Sequence, residues 1–167
     1  MFEVVLRNAL DRQLTAYHQI TLSGNGHWYS DARMPWTSKK LTDQIDRARA
    51  KATAHGKTLE IHGKVIAELS FGFWRYILAA HYQTTPWAPA LRRVFPHLSS
   101  QQRATVYPPI DRLHSLRNRV AHHEPVHSLN IAAGYKELLH LSGWIDPAAA
   151  AWIGQASRIS SVLAARP

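Results

Sequence analysis

Apolar positions recur at helical spacing along most of the chain and lay out its elements one after another. Val4, Leu6, Leu10, Leu14 and Tyr17 mark one side of a segment that also carries Glu3 and Arg7 four residues apart, so the spacing predicts an amphipathic helix from Phe2 to about Gln19. Ser23 to Trp36 loses the period and fills with turn-forming residues, which predicts a loop whose Trp28 and Trp36 plug the core. Thr37 or Ser38 can cap a second helix that runs to about His55, where Gly56 stops it. Lys39, Lys40, Arg47, Arg49 and Lys51 crowd its surface. From Gly63 onward, Val65, Ile66, Leu69, Phe73, Tyr76, Ile77 and Ala80 form the broadest apolar stripe and predict a central helix. Glu68 lies within that run. An unpaired carboxylate there is costly to bury, so it is expected to pair with a cation from another helix or to face the site.

Thr84 to Pro89 reads as a turn with two prolines, and PALRRVFPHL as a short amphipathic piece ending near Pro96. Ser99 or Ser100 is placed to cap the next helix, which Pro108 and Pro109 either kink or restart before it runs through Leu113, Leu116 and Val120 to His123. Pro125 ends it. Leu129 to about Leu141 and Pro147 to about Ala165 follow as helices, the latter capped by Asp146. No segment alternates strictly enough to predict a strand, and no repeat or linker divides the chain. The expected architecture is all-α, a bundle of five to seven helices in a single domain over residues 1–167.

Charge sharpens this picture. The 167 residues carry 20 Lys and Arg against 11 Asp and Glu, a formal net charge of +9 that attracts polyanions. Fourteen of those cations are arginines, whose planar fork matches phosphate geometry. The absence of cysteine excludes disulfides and thiolate metal sites and suits a reducing compartment. No run is long and apolar enough to span a bilayer, and the first residues read as an amphipathic helix rather than a signal peptide. The expected location is the cytoplasm, with no membrane partner.

The densest chemistry lies in LRNRVAHHEP, Leu116 to Pro125. Cleaving an RNA phosphodiester without metal needs a base for the 2′-OH, an acid for the leaving 5′-oxygen and cations for the phosphoryl charge. Asn118 and His122 are four apart and share a helix face. Arg117, five from His122, diverges by about 140°, a gap its long arm can close. Pro125 restricts Glu124, so His122 and His123 fall in the last turn, where free carbonyls favour an imidazolium and the neighbouring arginines oppose it. Spacing by itself is uninformative. Chance supplies roughly three arginine–histidine pairs at gaps of four to six in such a chain, and Arg12/His18, Arg49/His55, Arg75/His81 and Arg92/His97 all qualify.

What distinguishes Arg117 is the asparagine that follows it, the Ala-His-His-Glu-Pro helix end and the apolar helix leading in. RNRVAHHEP resembles the R-N-x-x-x-H motif of the HEPN superfamily. Together with FEVVLRNAL, GKVIAELSFGFWRYI and the SGWIDP…W…S…R pattern in the same order, the chain is similar over nearly its whole length to the Abi-like (abortive infection) proteins of that superfamily. The resemblance implies a HEPN-like helical bundle, usually a homodimer with a composite site. It also implies a metal-independent endoribonuclease that needs no cofactor and acts on RNA in phage defence or as a toxin, with an antitoxin or defence partner. Carried over, Arg117 would bind the scissile phosphate, Asn118 would orient groups in the site and His122 would act as general acid/base. Arg119 and His123, beside the motif, would support substrate binding. Two alternatives stand against this reading. One is a metal site drawn from His122, His123 and His127, whose spacing suits it poorly. The other is a non-catalytic RNA- or protein-binding module in which Arg117 and His122 contact phosphate or pair with Glu68.

Overall fold

The computed structural model describes residues 1–36 and 38–165, and the regular elements among them are all helical. Eight α-helices are joined by loops and by short 3-10 and π turns. The chain divides into two compact units, one over residues 7–94 and one combining residues 1–6 with 95–167.

In the 7–94 unit, α1 (Phe2–Ile20, its first turn belonging to the other unit) buries Leu10 and Leu14, as its periodicity requires. α2 (Lys39–Ala52) buries Leu41, Ile45, Ala48 and Ala52, spaced four, three and four apart on one face. Ser38 occupies its N-cap position without a side-chain bond; Thr37, the other expected cap, lies outside the described residues. The helix stops earlier than Gly56 demands. Ala54 takes φ +47, so its N–H reaches Lys51 O and the next N–H reaches Ala50 O, a left-handed turn that closes the last carbonyls before any glycine is met.

The expected central helix is broken. α3 (His62–Glu68) ends where Leu69 turns extended, and Ser70 caps a new helix, α4 (Phe71–Tyr76), by accepting from the Phe73 N–H at 3.3 Å. Apolar periodicity runs through the break because Leu69 and Phe73 are buried on both sides of it. The N-capping serine was the local signal, and Gly72 falls in a first turn rather than mid-helix. This break, with the later one in the C-terminal segment, takes the helix count past seven while the all-α class holds. Glu68 is not buried. It sits 41% exposed at the end of α3, 3.8 Å from Lys51 Nζ.

Two carboxylates knit the loop between α1 and α2 to the core. Asp11 on α1 accepts from Trp28 Nε1 at 2.7 Å and meets His62 Nε2 at 2.9 Å. Trp28, 1% exposed, packs against Phe73, Trp74 and Trp36. His18 is fully buried with Nε2 2.8 Å from Asp31 Oδ2. The Asp31 carboxyl is held well below the usual carboxylate range by hydrogen bonds from Arg33. Gly24 closes over the ring: a Cβ added there would lie 2.1 Å from His18 Nε2. His18 is therefore a packed internal group held by a loop carboxylate.

The other unit is built on α5 (Arg103–Ala121) and α6 (Ile131–Ile145), followed by α7 (Pro147–Ala156) and α8 (Ile159–Ala164). α5 buries Val106, Ile110 and Leu113, and starts after Gln102 rather than at a serine cap. Pro108 and Pro109 both lie inside it. Lacking N–H groups, they leave the carbonyls of Ala104 and Thr105 without their α-helical donors. Asn130 caps α6 by accepting from the Ala133 N–H at 2.9 Å, and Asp146 with Pro147 starts α7 as the sequence predicts. The helix expected to reach Ala165 breaks at Ser157, whose hydroxyl accepts from the Ile159 N–H. No described helix is long and apolar enough to cross a membrane.

Candidate functional site

The RNRVAHHEP stretch forms the C-terminal end of α5, and the way the helix stops fixes what each side chain can do. His122 is the C-cap, with φ −96 and ψ 12, and His123 turns left-handed at φ +55. The His123 N–H then bonds Val120 O at 3.2 Å and the Glu124 N–H bonds Arg119 O at 2.8 Å, the paired closure that glycine usually supplies. Pro125 follows outside the helix, as a residue without an N–H must. Histidine tolerates the left-handed region better than most side chains but not as freely as glycine. His123→Gly is expected to raise stability by about 0.5–1 kcal/mol and His123→Val to lower it by about 1–2 kcal/mol. Urea midpoints measured at constant m-value check both.

Arg117, Arg119, His122 and His123 are exposed, and Asn118 is half-buried. The structure links Arg117 to Asn118. Arg117 Nη1 donates to Asn118 Oδ1 at 3.5 Å, and Asn118 Nδ2 donates to His114 Nε2 at 3.3 Å. Because an amide nitrogen can only donate, His114 Nε2 accepts in this contact. His114, Asn118 and His122 are spaced by four and form one ridge up the helix. His114 is not among the residues that sequence singles out, and the signal that would have found it is this four-residue ladder. The His122 imidazole makes no hydrogen bond or ion pair with any described residue. Arg117 Nε lies 3.7 Å from Glu3 Oε2 of α1, so its carboxylate partner is Glu3 and not Glu68.

Arg119 takes other partners. It lies 3.6 Å from Glu124 and lines a groove of about 410 Å³ between α5 and α6. Leu113, Leu116, Leu129 and Ala133 make the apolar floor of that groove, and Gly134 lets the Leu116 side chain approach closely. Arg112 and Glu137 close its side with a bidentate ion pair. The five residues singled out by sequence thus take different partners at one helix end. Arg117 and Asn118 are joined by a hydrogen bond with His122 one turn on, while Arg119 lines the groove and His123 forms the turn.

A second gathering of titratable groups lies in the 7–94 unit. His27, His62 and Tyr29 stack within 4.8 to 5.5 Å of one another, beside Asp11, Glu60 and Arg49. Burial, with the Glu60 carboxylate, pushes the Tyr29 hydroxyl far up, and burial pushes the His27 imidazole down. Its carboxylates are turned to internal partners, and the cluster reads as the pin that holds α3 to α1 and the loop. No group of three or more His, Asp or Glu among the described residues is placed to hold a metal ion.

Compared with models of protein families, with curated proteins and with solved structures, the chain matches none of them.

Proposed function

We propose that the chain is a metal-independent endoribonuclease of the Abi-like HEPN type, cleaving RNA by transesterification in phage defence or as a toxin, in the cytoplasm. The observation that carries this reading is the end of α5. There an imidazole without a partner among the described residues, His122, stands one turn above an asparagine that is hydrogen-bonded to the neighbouring guanidinium, Arg117. In the reaction, His122 takes the 2′-OH proton and the 2′-oxygen attacks phosphorus. The 5′-oxygen leaves with a proton from a second imidazole, giving a 2′,3′-cyclic phosphate. Arg117 neutralises the charge that gathers on the phosphoryl oxygens. Its contact with Glu3 is long and exposed, the kind of pair that contributes little and that a phosphate can displace.

The second imidazole has to come from elsewhere. His114 already accepts from Asn118, and His123 is committed to the left-handed turn. A homodimer solves this if two His122 side chains face one cleft. Met1 and Val4 on α1 and Val120 on α5 are 51%, 43% and 57% exposed on the two helices that the Arg117–Glu3 contact joins, an apolar flank suited to a second copy. A neutralising or defence partner belongs to the same proposal. The non-catalytic RNA- or protein-binding module is the second reading, in which Arg117 and His122 contact phosphate without cleaving.

Incubation with a defined RNA in excess chelator separates the possibilities. The nuclease leaves cyclic-phosphate ends, and its rate falls faster than in proportion to protein concentration once subunits dissociate. Loss of cleavage on chelation points to a metal enzyme. Binding without cleavage at any concentration points to the module.

A further inference from the structure

The positive surplus is unevenly spread. Residues 7–94 hold thirteen Lys and Arg against six Asp and Glu, while the unit that carries the RNRVAHHEP end of α5 holds seven against five. Three of those six carboxylates are occupied internally, Asp11 by Trp28 and His62, Asp31 by Arg33 and His18, and Glu60 by Arg49 and Tyr29. They do not screen the outer cations. Arg49 is withdrawn from the basic surface of α2 by the same pairing.

What remains on α2 sorts by helical angle. Lys40, Gln44, Arg47 and Lys51, at spacings of four, seven and eleven, fall within about 60° of one another, and Lys40 to Lys51 covers about 16 Å along the axis. Lys39 projects about 100° away, on the side of Asp43 and Asp46. Lys40, Arg47 and Lys51 are all exposed. A dent of about 160 Å³ lies on this flank, lined by Gln44, Arg47, Lys51, Glu68 and Ser70. Two carboxylates temper this charge: Glu68, 3.8 Å from a Lys51 side chain that is 65% exposed, and Asp43, three residues after Lys40 and four before Arg47 on the same helix.

We infer that this flank of α2 binds the phosphate backbone of single-stranded RNA, a choice of polyanion that rests on the nuclease reading above. About 16 Å corresponds to roughly five nucleotides at the ~3.4 Å rise of a stacked strand, enough for one contact by each cation. Arg47 supplies the fork for a phosphate while Lys40 and Lys51 act as point charges on either side. Contacts of this kind position a strand and carry no sequence information.

The test measures binding, not cleavage. A fluorescent single-stranded RNA is titrated in excess chelator with the His122→Ala protein, and the affinity is followed against salt. Each phosphate neutralised on a single strand contributes about −0.7 to the slope of log affinity against log salt. The triple variant Lys40→Gln, Arg47→Gln, Lys51→Gln is therefore expected to make the slope shallower by about 2. A control that removes the same charge from other exposed positions of this unit, Arg12→Gln, Lys57→Gln, Lys64→Gln, keeps most of it. Glu68→Gln acts in the opposite sense and tightens binding several-fold, an outcome that misfolding cannot mimic. Equal loss of slope in the control, or an unchanged slope in the triple variant, overturns the inference. A protein that shows this pattern yet never cleaves retains the RNA face and refutes the nuclease.

Discussion

His122→Ala is expected to slow RNA cleavage by about 10²–10⁴-fold, the usual contribution of a positioned general acid or base, with helix content and melting temperature unchanged. The separation of the two readouts follows from where the residue sits. His122 is exposed, its ring has no partner among the described residues, and as the C-cap of α5 it contributes its backbone N–H to Asn118 O, a bond that alanine makes equally well. Nothing in the fold is lost with the imidazole. Asn118→Ala removes the acceptor of Arg117 and the donor to His114 together, so it acts on how the guanidinium is held. Arg119→Ala, turned toward the groove, leaves the chemical step alone and changes substrate affinity instead. A His122→Ala protein with wild-type turnover in chelator would end the proposed chemistry.

Gly24→Ala is expected to be the most destabilising single methyl in the 7–94 unit, by about 3–5 kcal/mol. The added Cβ would meet the His18 ring at 2.1 Å, far inside contact distance, and the ring cannot retreat because His18 is fully buried. Overpacking of this kind costs about 1–3 kcal/mol, and displacing the ring from Asp31 adds about 1.5–3 kcal/mol for a bond to a charged group. For a chain of this size the melting temperature should fall by roughly 10 °C. A double-mutant cycle identifies the cause. In a His18→Ala background, already less stable, the same Gly24 substitution should cost little, whereas equal cost in both backgrounds would show that the clash lies elsewhere.

The helical class and most element starts were legible because each rests on a local signal: the four-three spacing of Leu41, Ile45 and Ala48, the Asp146–Pro147 start, the Pro125 stop. The breaks at Leu69 and Ser157 were not, since apolar periodicity counts residues and is blind to a single extended one whose neighbours remain buried on both sides. The end of α2 hid for a related reason. Ala54 adopts a left-handed conformation that its side chain does not advertise, so Gly56 drew the boundary too late. In the candidate site, Arg117, Asn118 and His122 were legible as a spacing, but the place of Arg119 at the groove needed three dimensions, because the α6 residues that line it with Arg119 lie far along the chain. Glu3, more than a hundred residues upstream, and His18, buried against a loop carboxylate, are pairings of the tertiary fold. No window of the chain contains them.

The two prolines inside α5 carry a mechanical consequence. Between Ala104 and Pro109 the helix lacks two of the backbone links that would resist bending, so its curvature there can change without breaking any of them. The segment from Ile110 to Ala121 can therefore tilt as a lever about that soft joint, and a load applied at its tip is absorbed one and a half turns from the start of the helix rather than at the tip itself.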